Sequence, residues 1–333
     1  MVDLLQKRKI ELISFLQGDV FDKLKELDDN SIDCVVTSPP YWGLRDYGVD
    51  GQLGLEPTYQ EHIKNIVELF RAMKPKLKDT ATVWLNYGDS YAATVNGTKV
   101  KDMKKNLQKN RINKIKGKFD DRGFVDKPFS TIQGSLKPKD LVMIPNRIAI
   151  ALQDDGWWIR SEIIWHKPNP MPESTKDRPT SCHEKIWLIT KSKKYYYDSD
   201  AIKEHVKHPK INHKSTKHSL KQKKAYFENV PTNIGRCGNS KDLKKNKRNV
   251  WTVTTKPCKE AHFATFPKDL IEPCIKAGCP ENGIVLDPFG GSGTTGIVAK
   301  SLNRQCILIE LNPEYIKIAK KRADKEFGLF NES

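Results

Sequence analysis

The sequence predicts an α/β fold with a mostly parallel sheet, because short apolar runs alternate with helical patterns along the 333 residues. The strand-like runs are Leu12–Leu16, Ile32–Thr37, Ala81–Leu85, Trp157–Trp165, Glu184–Thr190, Gly283–Asp287 and Gln305–Glu310. The helical patterns are Val20–Leu27, Tyr59–Met73, Asp140–Gln153, Thr294–Leu302 and Pro313–Phe327. The last helix has a clear start, with Asn312 as N-cap and Pro313 at its first position.

Strand direction is predicted from the spacing of these elements. Residues 157–190 contain two strands without an obvious helix between them, which favours an antiparallel pair closing one edge of the sheet. The remaining strands alternate with helices and are expected to be parallel.

The net charge of +17 is concentrated in two segments. Residues 96–127 carry 11 basic and 4 acidic side chains, and residues 201–260 carry 16 basic and 4 acidic ones. The rest of the chain is therefore close to neutral. A single lysine-rich run is often merely solvated, but two runs that hold all the excess charge favour a polyanionic partner such as nucleic acid.

Other broad classes find little support in the sequence. The chain has no apolar run of 18 residues and no signal-peptide pattern at its N-terminus, so we expect a cytoplasmic, nucleoid-associated protein without a membrane span. The seven scattered cysteines are expected to be reduced. Cys258, His262, Cys274 and Cys279 could form a zinc site, but their spacing fits no common finger, and we expect no metal.

A glycine-rich loop follows the strand that ends at Asp287. It reads Pro288-Phe289-Gly290-Gly291-Ser292-Gly293-Thr294 and leads into a helix, with glycines in the spacing G-x-G-x-x-G. The next strand ends at Glu310, whose carboxylate can accept hydrogen bonds from both hydroxyls of a ribose. This arrangement predicts an adenosine cofactor, although a turn without a ligand remains an alternative. No lysine follows the last glycine, so the loop is not a P-loop.

The position of this loop in the chain predicts a rotated strand order. Only about 40 residues follow it, too few for the second half of a dinucleotide fold. The N-terminal strand is therefore expected to lie beside the last one. Asp19, just after that first strand, would then reach the cofactor and could accept a hydrogen bond from an adenine amino group.

A rigid turn, Ser38-Pro39-Pro40-Tyr41, follows the strand Ile32–Thr37. Its prolines fix the backbone and lack N–H donors, which leaves the Ser38 hydroxyl oxygen and the Pro39 carbonyl as acceptors. Two acceptors can hold the hydrogens of a base amino group and aim its lone pair at a methyl on sulfur. Tyr41 would stack on a base extruded from the duplex. An ordinary Pro-Pro turn beside a core aromatic is the alternative.

These motifs, in this order, resemble the circularly permuted beta group of amino methyltransferases from restriction–modification systems. The resemblance covers most of the chain and implies a Rossmann-like S-adenosylmethionine-dependent methyltransferase fold, seven-stranded with one antiparallel strand. It implies that the catalytic residues are Ser38, Pro39, Pro40 and Tyr41. It implies that S-adenosyl-L-methionine is bound by Asp19, Thr37, Phe266, Asp287, Pro288, Phe289, Gly291, Ser292, Gly293, Thr294, Glu310 and Leu311.

The resemblance also predicts the division of the chain. Residues 1–197 would form the catalytic part, with a basic insertion at 96–136 that is either a DNA clamp or a spacer. Residues 198–256 would recognise the target sequence, and 257–333 would bind the cofactor. Trp251 would either contact DNA or pack. The partner would be double-stranded DNA, with a cognate restriction endonuclease acting separately, and the protein would be a monomer or homodimer.

Serine at the first motif position is typical of the cytosine-methylating members of that family, whereas Asp or Asn is typical of the adenine enzymes. Ser38 therefore predicts methylation of the cytosine N4 amino group, which would protect DNA from the cognate endonuclease. Three alternatives remain open: adenine-N6 methylation, a non-catalytic DNA-binding protein with a vestigial cofactor pocket, and methylation of RNA or of a protein glutamine.

Overall fold

The computed structural model describes residues 12–93, 125–205, 244–255 and 266–328. Among these residues, no helix is long and apolar enough to cross a membrane. The chain divides into two compact units, one of residues 1–198 with 249–333 and the other of residues 199–248. The larger unit contains the central sheet and its helices.

Strands and helices alternate along much of the described chain. The strands are β1 (Ile13–Gln17), β2 (Ile32–Thr37), β3 (Arg45–Asp46), β4 (Leu77–Tyr87), β5 (Val125–Asp126), β6 (Trp158–His166), β7 (His183–Thr190), β8 (Glu204–His205), β9 (Lys244–Lys245), β10 (Val250–Thr252), β11 (Ile284–Asp287) and β12 (Gln305–Glu310). The α-helices are α1 (Val20–Lys25), α2 (Tyr59–Met73), α3 (Ile144–Asp154), α4 (Lys268–Gly278), α5 (Thr294–Ser301) and α6 (Pro313–Phe327).

Within the described residues, the central sheet has eight strands in the order β1-β12-β11-β2-β4-β7-β6-β10. Strand β7 runs antiparallel to both of its neighbours, β4 and β6, and every other described pair in this sheet is parallel. The first strand pairs with the last, with Ile13 opposite Cys306 and Gln17 opposite Glu310. This pairing confirms the predicted rotated order, and it brings the ends of β1 and β12 together.

The predicted count of seven strands is wrong by one, because β10 adds an eighth strand beside β6. The antiparallel pair β6–β7 is therefore not the edge of the sheet. Three residues are too few to show an alternating pattern, and this strand follows the basic run that ends at Arg248 and Asn249. Trp251, at its centre, is 5% exposed and lies 6.4 Å from Trp84, so it packs in the core.

The helices begin largely where their sequences predict. Helix α2 starts with a capping box in which the Thr58 hydroxyl accepts from the Glu61 N–H and the Glu61 carboxylate accepts from the Thr58 N–H. Helix α6 starts at Pro313, and the Asn312 side chain accepts from the Glu314 N–H. Helix α4 was not predicted, because Pro273 in its interior interrupts a pattern that otherwise buries Leu270, Ile271, Cys274 and Ile275.

The predicted basic insertion, residues 96–136, is only partly described. Residues 96–124 lie outside the described part, and residues 125–136 belong to the larger unit. Strand β5 pairs antiparallel with β3, the Phe129 ring lies 5.8 Å from Trp42, and Thr131 is buried. The C-terminal end of this segment is thus part of the fold.

The smaller unit is described only at residues 199–205 and 244–248. Its two short strands, β8 and β9, pair antiparallel, with Glu204 opposite Lys245. Arg248 donates to the Glu204 carboxylate at 3.4 Å. Most of the predicted target recognition region, residues 206–243, lies outside the described residues, so its role stays a prediction.

Candidate active site

A cavity of about 610 Å³ lies at the edge of the sheet where strands β1, β2, β11 and β12 end. Its volume is within the range typical of small-molecule sites. The turn that begins at Ser38 and the glycine loop that begins at Pro288 both line it, although they are 250 positions apart. The carboxyl ends of parallel strands are where open α/β sheets bind ligands.

Fourteen of the sixteen predicted site residues line this cavity. They are Asp19, Ser38, Pro39, Pro40, Tyr41, Phe266, Asp287, Pro288, Phe289, Gly291, Ser292, Thr294, Glu310 and Leu311. The other two, Thr37 and Gly293, lie just behind the wall. Gly293 has a φ of +79°, and a Cβ there would stand 2.8 Å from the Ala319 Cβ, so glycine is required for the approach of α6. The role of each residue stays a prediction.

Thr37 and Asp287 join the turn to the glycine loop beneath the cavity. The Thr37 hydroxyl donates to Asp287 Oδ1 at 2.8 Å, and the Thr295 hydroxyl donates to Oδ2 at 2.6 Å. The Phe289 N–H also donates to Oδ1, at 3.1 Å. Burial raises the pKa of Asp287 to about 6, although these three donors act in the opposite direction.

The Glu310 carboxylate holds the first part of the glycine loop in place. Its Oε2 accepts from the Gly291 N–H and its Oε1 from the Asn312 N–H, both at 2.8 Å. Burial raises the pKa of Glu310 against the effect of these donors. Each oxygen keeps a further lone pair, so the carboxylate can still accept from a ligand that enters the cavity.

Asp19 also combines a structural contact with a place in the cavity wall. Its Oδ1 accepts from the Phe21 N–H at 2.9 Å, which caps α1. None of the described hydrogen bonds uses Asp19 Oδ2, and the contact of Asp19 with an adenine amino group stays a prediction. Arg322 on α6 supports the same wall, because its guanidinium donates to the Ser292 hydroxyl at 2.6 Å and to the Thr294 hydroxyl at 3.2 Å.

The turn ends in a directed chain of hydrogen bonds. The Ser38 hydroxyl donates to the Tyr41 hydroxyl at 3.4 Å, and the Tyr41 hydroxyl donates to Glu184 Oε2 at 2.8 Å. An ionised carboxylate can only accept, so Tyr41 donates to it and accepts from Ser38. Burial, followed by the Glu184 charge, raises the pKa of Tyr41 well above its ordinary value, and the phenol stays protonated. The lone pairs of Ser38 therefore remain available as acceptors.

Glu184 is held by two further donors at the cavity wall. The Asn86 amide donates to its Oε2 at 3.2 Å, and the Lys167 ammonium forms an ion pair with its Oε1. The same ammonium lies 4.3 Å from the centre of the Trp165 ring. Asn86, Trp165, Lys167 and Glu184 all line the cavity. These residues join the strand pair β6–β7 to the turn.

A buried polar network supports the turn from below. Tyr87 Oη accepts from the Trp42 N–H at 2.8 Å, and it lies 2.7 Å from His62 Nε2. His62 Nδ1 is 2.8 Å from Glu56 Oε2, which places a proton on Nδ1, because an ionised carboxylate can only accept. The Tyr87 ring also stacks on Tyr41 at 4.5 Å. His62 and Tyr87 are both fully enclosed.

Sequence reasoning missed Glu184, Lys167, Asn86 and the network behind them. Glu184 is the second residue of the antiparallel strand β7, and the start of such a strand lies at the same edge as the ends of its parallel neighbours. The predicted reversal of this strand was therefore the signal that could have found Glu184. His62 follows no motif spacing and could only be found from the fold.

The described residues contain no cluster of His, Cys, Asp and Glu that could hold a metal ion. Of the four residues weighed as zinc ligands, Cys274 and Cys279 are buried in the core, and Cys258 and His262 lie outside the described residues. Burial raises the pKa of the Cys279 thiol to about 12. That thiol therefore stays protonated in the fold.

Comparison with known proteins gives matches over most of the chain. A family model described as DNA methylase matches residues 32–321, a range that includes both the turn and the glycine loop. The Type II methyltransferase M.SmaI of Serratia marcescens is 45% identical over 305 residues, which cover 92% of this chain and 88% of the relative.

Two solved structures share the fold. The cytosine-N4-specific PvuII DNA methyltransferase has a TM-score of 0.59 at 18% identity, and the match covers 96% of this chain and 91% of that one. A Thermus thermophilus protein described as a putative DNA modification methylase, complexed with S-adenosyl-L-methionine, has a TM-score of 0.55 at 21% identity. That match covers 95% of this chain and 97% of the other.

Proposed function

The chain belongs to the DNA methylase family, and on that premise we propose that it methylates cytosine N4 in specific sequences of double-stranded DNA. The methyl donor in this proposal is S-adenosyl-L-methionine. In this proposal the modification would protect DNA from a cognate restriction endonuclease. One observation carries the proposal: Ser38 and the glycine loop line the same cavity.

The chemistry of the cavity wall fits this cofactor. Glu310 can accept from the ribose hydroxyls while it holds the Gly291 and Asn312 N–H groups. Asp19 Oδ2 can accept from the adenine amino group. Asp287 supplies a carboxylate for the positive charges of the cofactor, and Phe266 supplies apolar surface at its methionine end. When bound, the cofactor supplies an electrophilic methyl on a positively charged sulfur.

The turn would act by orientation and by hydrogen bonding. A base amino group is a poor nucleophile because its lone pair is delocalised into the ring. The Ser38 oxygen and the Pro39 carbonyl would accept hydrogen bonds from its two N–H groups, favour a more tetrahedral nitrogen and aim the lone pair at the methyl, and the methylated amino group would then release one of these protons. The chain from Ser38 through Tyr41 to Glu184 supports this role, because it keeps the Ser38 proton away from the target nitrogen. Alignment of this kind can lower the activation free energy by at most about 7–11 kcal/mol.

Cytosine is favoured over adenine by the serine at position 38, and by the match in fold to the cytosine-N4-specific PvuII enzyme. The second candidate is adenine-N6 methylation by the same pocket. The carboxylate of Glu184 favours it in one respect, since an acidic group lies close to the turn even though the motif itself has none. The two reactions differ only in the base that enters.

The test is transfer of labelled methyl from S-adenosyl-L-methionine to duplex DNA, followed by sequencing that identifies the modified base and its context. We expect N4-methylcytosine in one recurrent sequence, and we expect Ser38→Ala to abolish most of the transfer while cofactor binding is retained. N6-methyladenine would replace the cytosine proposal with the adenine one. If the chain binds DNA but neither binds the cofactor nor transfers methyl, it is a DNA-binding protein with a vestigial pocket. If label appears only on RNA or on peptide, DNA is rejected as the substrate.

A further inference from the structure

An exposed methionine lies on the loop that follows β6, two residues after Asn169, which lines the cavity. The Met171 side chain is 86% exposed, the highest value among the large hydrophobic residues that the structure describes. The next highest value is 58%, at Ile150 on α3. Such exposure forgoes the free energy of burying a large apolar side chain.

The loop leaves the sheet at the wall of the cavity. Lys167 and Asn169 line the cavity, and Met171 follows two residues later. Lys167 forms the ion pair with Glu184, which accepts from Tyr41. Met171 is thus close in sequence to the side of the cavity that carries the methylating turn rather than the glycine loop.

The loop is held on both sides of Met171. The Asn169 amide donates to the Thr255 carbonyl at 3.2 Å and its carbonyl accepts from the Thr255 N–H at 3.0 Å. On the other side, Arg178 forms an ion pair with Glu173 at 2.6 Å. The guanidinium of Arg178 also lies 3.7 Å from the centre of the Tyr91 ring.

Prolines stiffen the segment between these anchors. Pro170 and Pro172 flank Met171 directly, so the backbone on either side has a fixed φ and no N–H donor. A methionine on a loose loop would fold back onto apolar surface. Here a backbone stiffened by two prolines presents an apolar side chain to solvent, two residues after a residue of the cavity wall.

From this arrangement we infer that Met171 inserts into the base stack of DNA and fills the space left by the extruded base. The inference rests on the proposed function, because only a base that leaves the duplex creates that space. Extrusion costs unstacking and unpairing, and apolar side chains that wedge between base steps offset part of that cost. Methionine suits the task because its unbranched side chain adapts to an irregular gap.

The test compares two DNA substrates that carry the methylation site found by sequencing. In one the target base is fully paired, and in the other it stands opposite an abasic position and is already unpaired. Met171→Ala is expected to lower kcat/KM on the paired duplex roughly ten- to hundredfold, the range set by burial of one large apolar side chain. On the unpaired substrate it is expected to stay within about twofold of the wild type, because little extrusion cost is left to offset.

Two control variants sharpen the comparison. Met171→Leu keeps an apolar side chain of similar size and is expected to keep most of the activity on both substrates. Ile150→Ala removes the next most exposed hydrophobic side chain and is expected to change neither rate. If Met171→Ala lowers kcat/KM equally on both substrates, or does not lower it on the paired one, the proposed insertion of Met171 is overturned. The proposed methylation is not contradicted by either result. A wild-type chain that methylates neither DNA would reject the proposed function and the wedge with it.

Discussion

The Thr37 hydroxyl and the Asp287 carboxylate, 250 positions apart, form a buried hydrogen bond of 2.8 Å. Thr37 is the last residue of β2, before the turn, and Asp287 is the last residue of β11, before the glycine loop. One hydrogen bond therefore couples the backbone that presents the acceptors to the backbone that surrounds the cofactor. This contact makes Asp287 sensitive to both halves of the site.

Binding of the cofactor is expected to depend on pH through Asp287. Its pKa of about 6 means that only about a tenth of the carboxyl groups are ionised at pH 5, whereas most are ionised at pH 7. A cofactor with a positive sulfur and ammonium group favours the ionised form. Its affinity, measured by calorimetry between pH 5 and pH 8, should therefore rise up to about tenfold as the pH increases.

Asp287→Asn serves as the control for that titration and should flatten the profile. Glu310 also faces the cavity with a raised pKa, so Glu310→Gln is needed to separate the two carboxyl groups. A profile that Asp287→Asn leaves unchanged would mean that another group controls the pH dependence.

The raised pKa of Asp287 also predicts how the stability of the cofactor-free protein depends on pH. Asp287 binds a proton more tightly in the folded state than in the unfolded state, where its pKa is near the ordinary value of 3.8. Unfolding releases that proton between these two pKa values, so this group destabilises the fold as the pH rises from about 4 to about 6. The loss approaches about 3 kcal/mol, because one pKa unit corresponds to about 1.4 kcal/mol.

Urea unfolding curves at pH 4.5 and pH 7 would measure about 2 kcal/mol of this loss, because part of it has already occurred at pH 4.5. Other groups titrate over the same range, so the comparison that matters is the difference between the wild type and Asp287→Asn at each pH. We expect the substitution to remove the decrease due to this group. An identical pH dependence in both proteins would contradict the prediction.

Local sequence signals predicted the parts of the fold that they control. Strands β2 and β12 and helices α2 and α6 have the predicted bounds, because an apolar run or a cap defines each end. Helix α4 was not predicted because an internal proline interrupts its pattern. Strand β10 was not predicted because three residues are too few to show an alternating pattern. These elements form through tertiary packing rather than through local preference.

The residues of the site also fall into two groups, those that local sequence signals predict and those whose contacts depend on tertiary packing. Ser38 and Glu310 belong to motifs whose strand and loop context could be predicted, so their presence in one cavity followed from the strand order. Glu184 and His62 belong to no such motif, and their contacts depend on the reversal of β7 and on the packing of α2. Sequence reasoning predicted the residues of the two loops but not the side chains that hold them in place.

Glu184→Gln should slow methyl transfer more than it weakens binding. The glutamine amide can donate to the Tyr41 hydroxyl, which would then donate to Ser38 and turn the Ser38 proton toward the target amino group. We expect kcat to fall about ten- to hundredfold, as for the loss of about 1.5–3 kcal/mol from one hydrogen bond to a charged group, with the affinity for cofactor unchanged.

Glu162→Gln is the matched control, because Glu162 lies on β6, pairs with Lys185 at 2.6 Å and does not line the cavity. Single-turnover rates and cofactor affinities of both variants would separate the effects. Similar rates for the two variants, or a loss of cofactor binding in Glu184→Gln, would argue against a directed chain.

Tyr87→Phe should weaken the buried polar network that holds the turn in place. The change removes the hydroxyl that accepts from the Trp42 N–H and faces His62 Nε2, both of which are buried. Leaving such groups without partners costs about 1–3 kcal/mol, so the free energy of unfolding should fall by that amount. The phenyl ring keeps the stacking on Tyr41, and the turn should lose its alignment rather than its fold.

The expected kinetic signature is a lower kcat for methyl transfer with an unchanged Kd for the cofactor, measured at a temperature where the variant remains folded. Tyr195→Phe is a suitable control, since Tyr195 is outside the cavity and its hydroxyl bonds only to Arg160 among the contacts described. If Tyr87→Phe lost stability without a change in kcat, the network would support the core and have no part in positioning the turn.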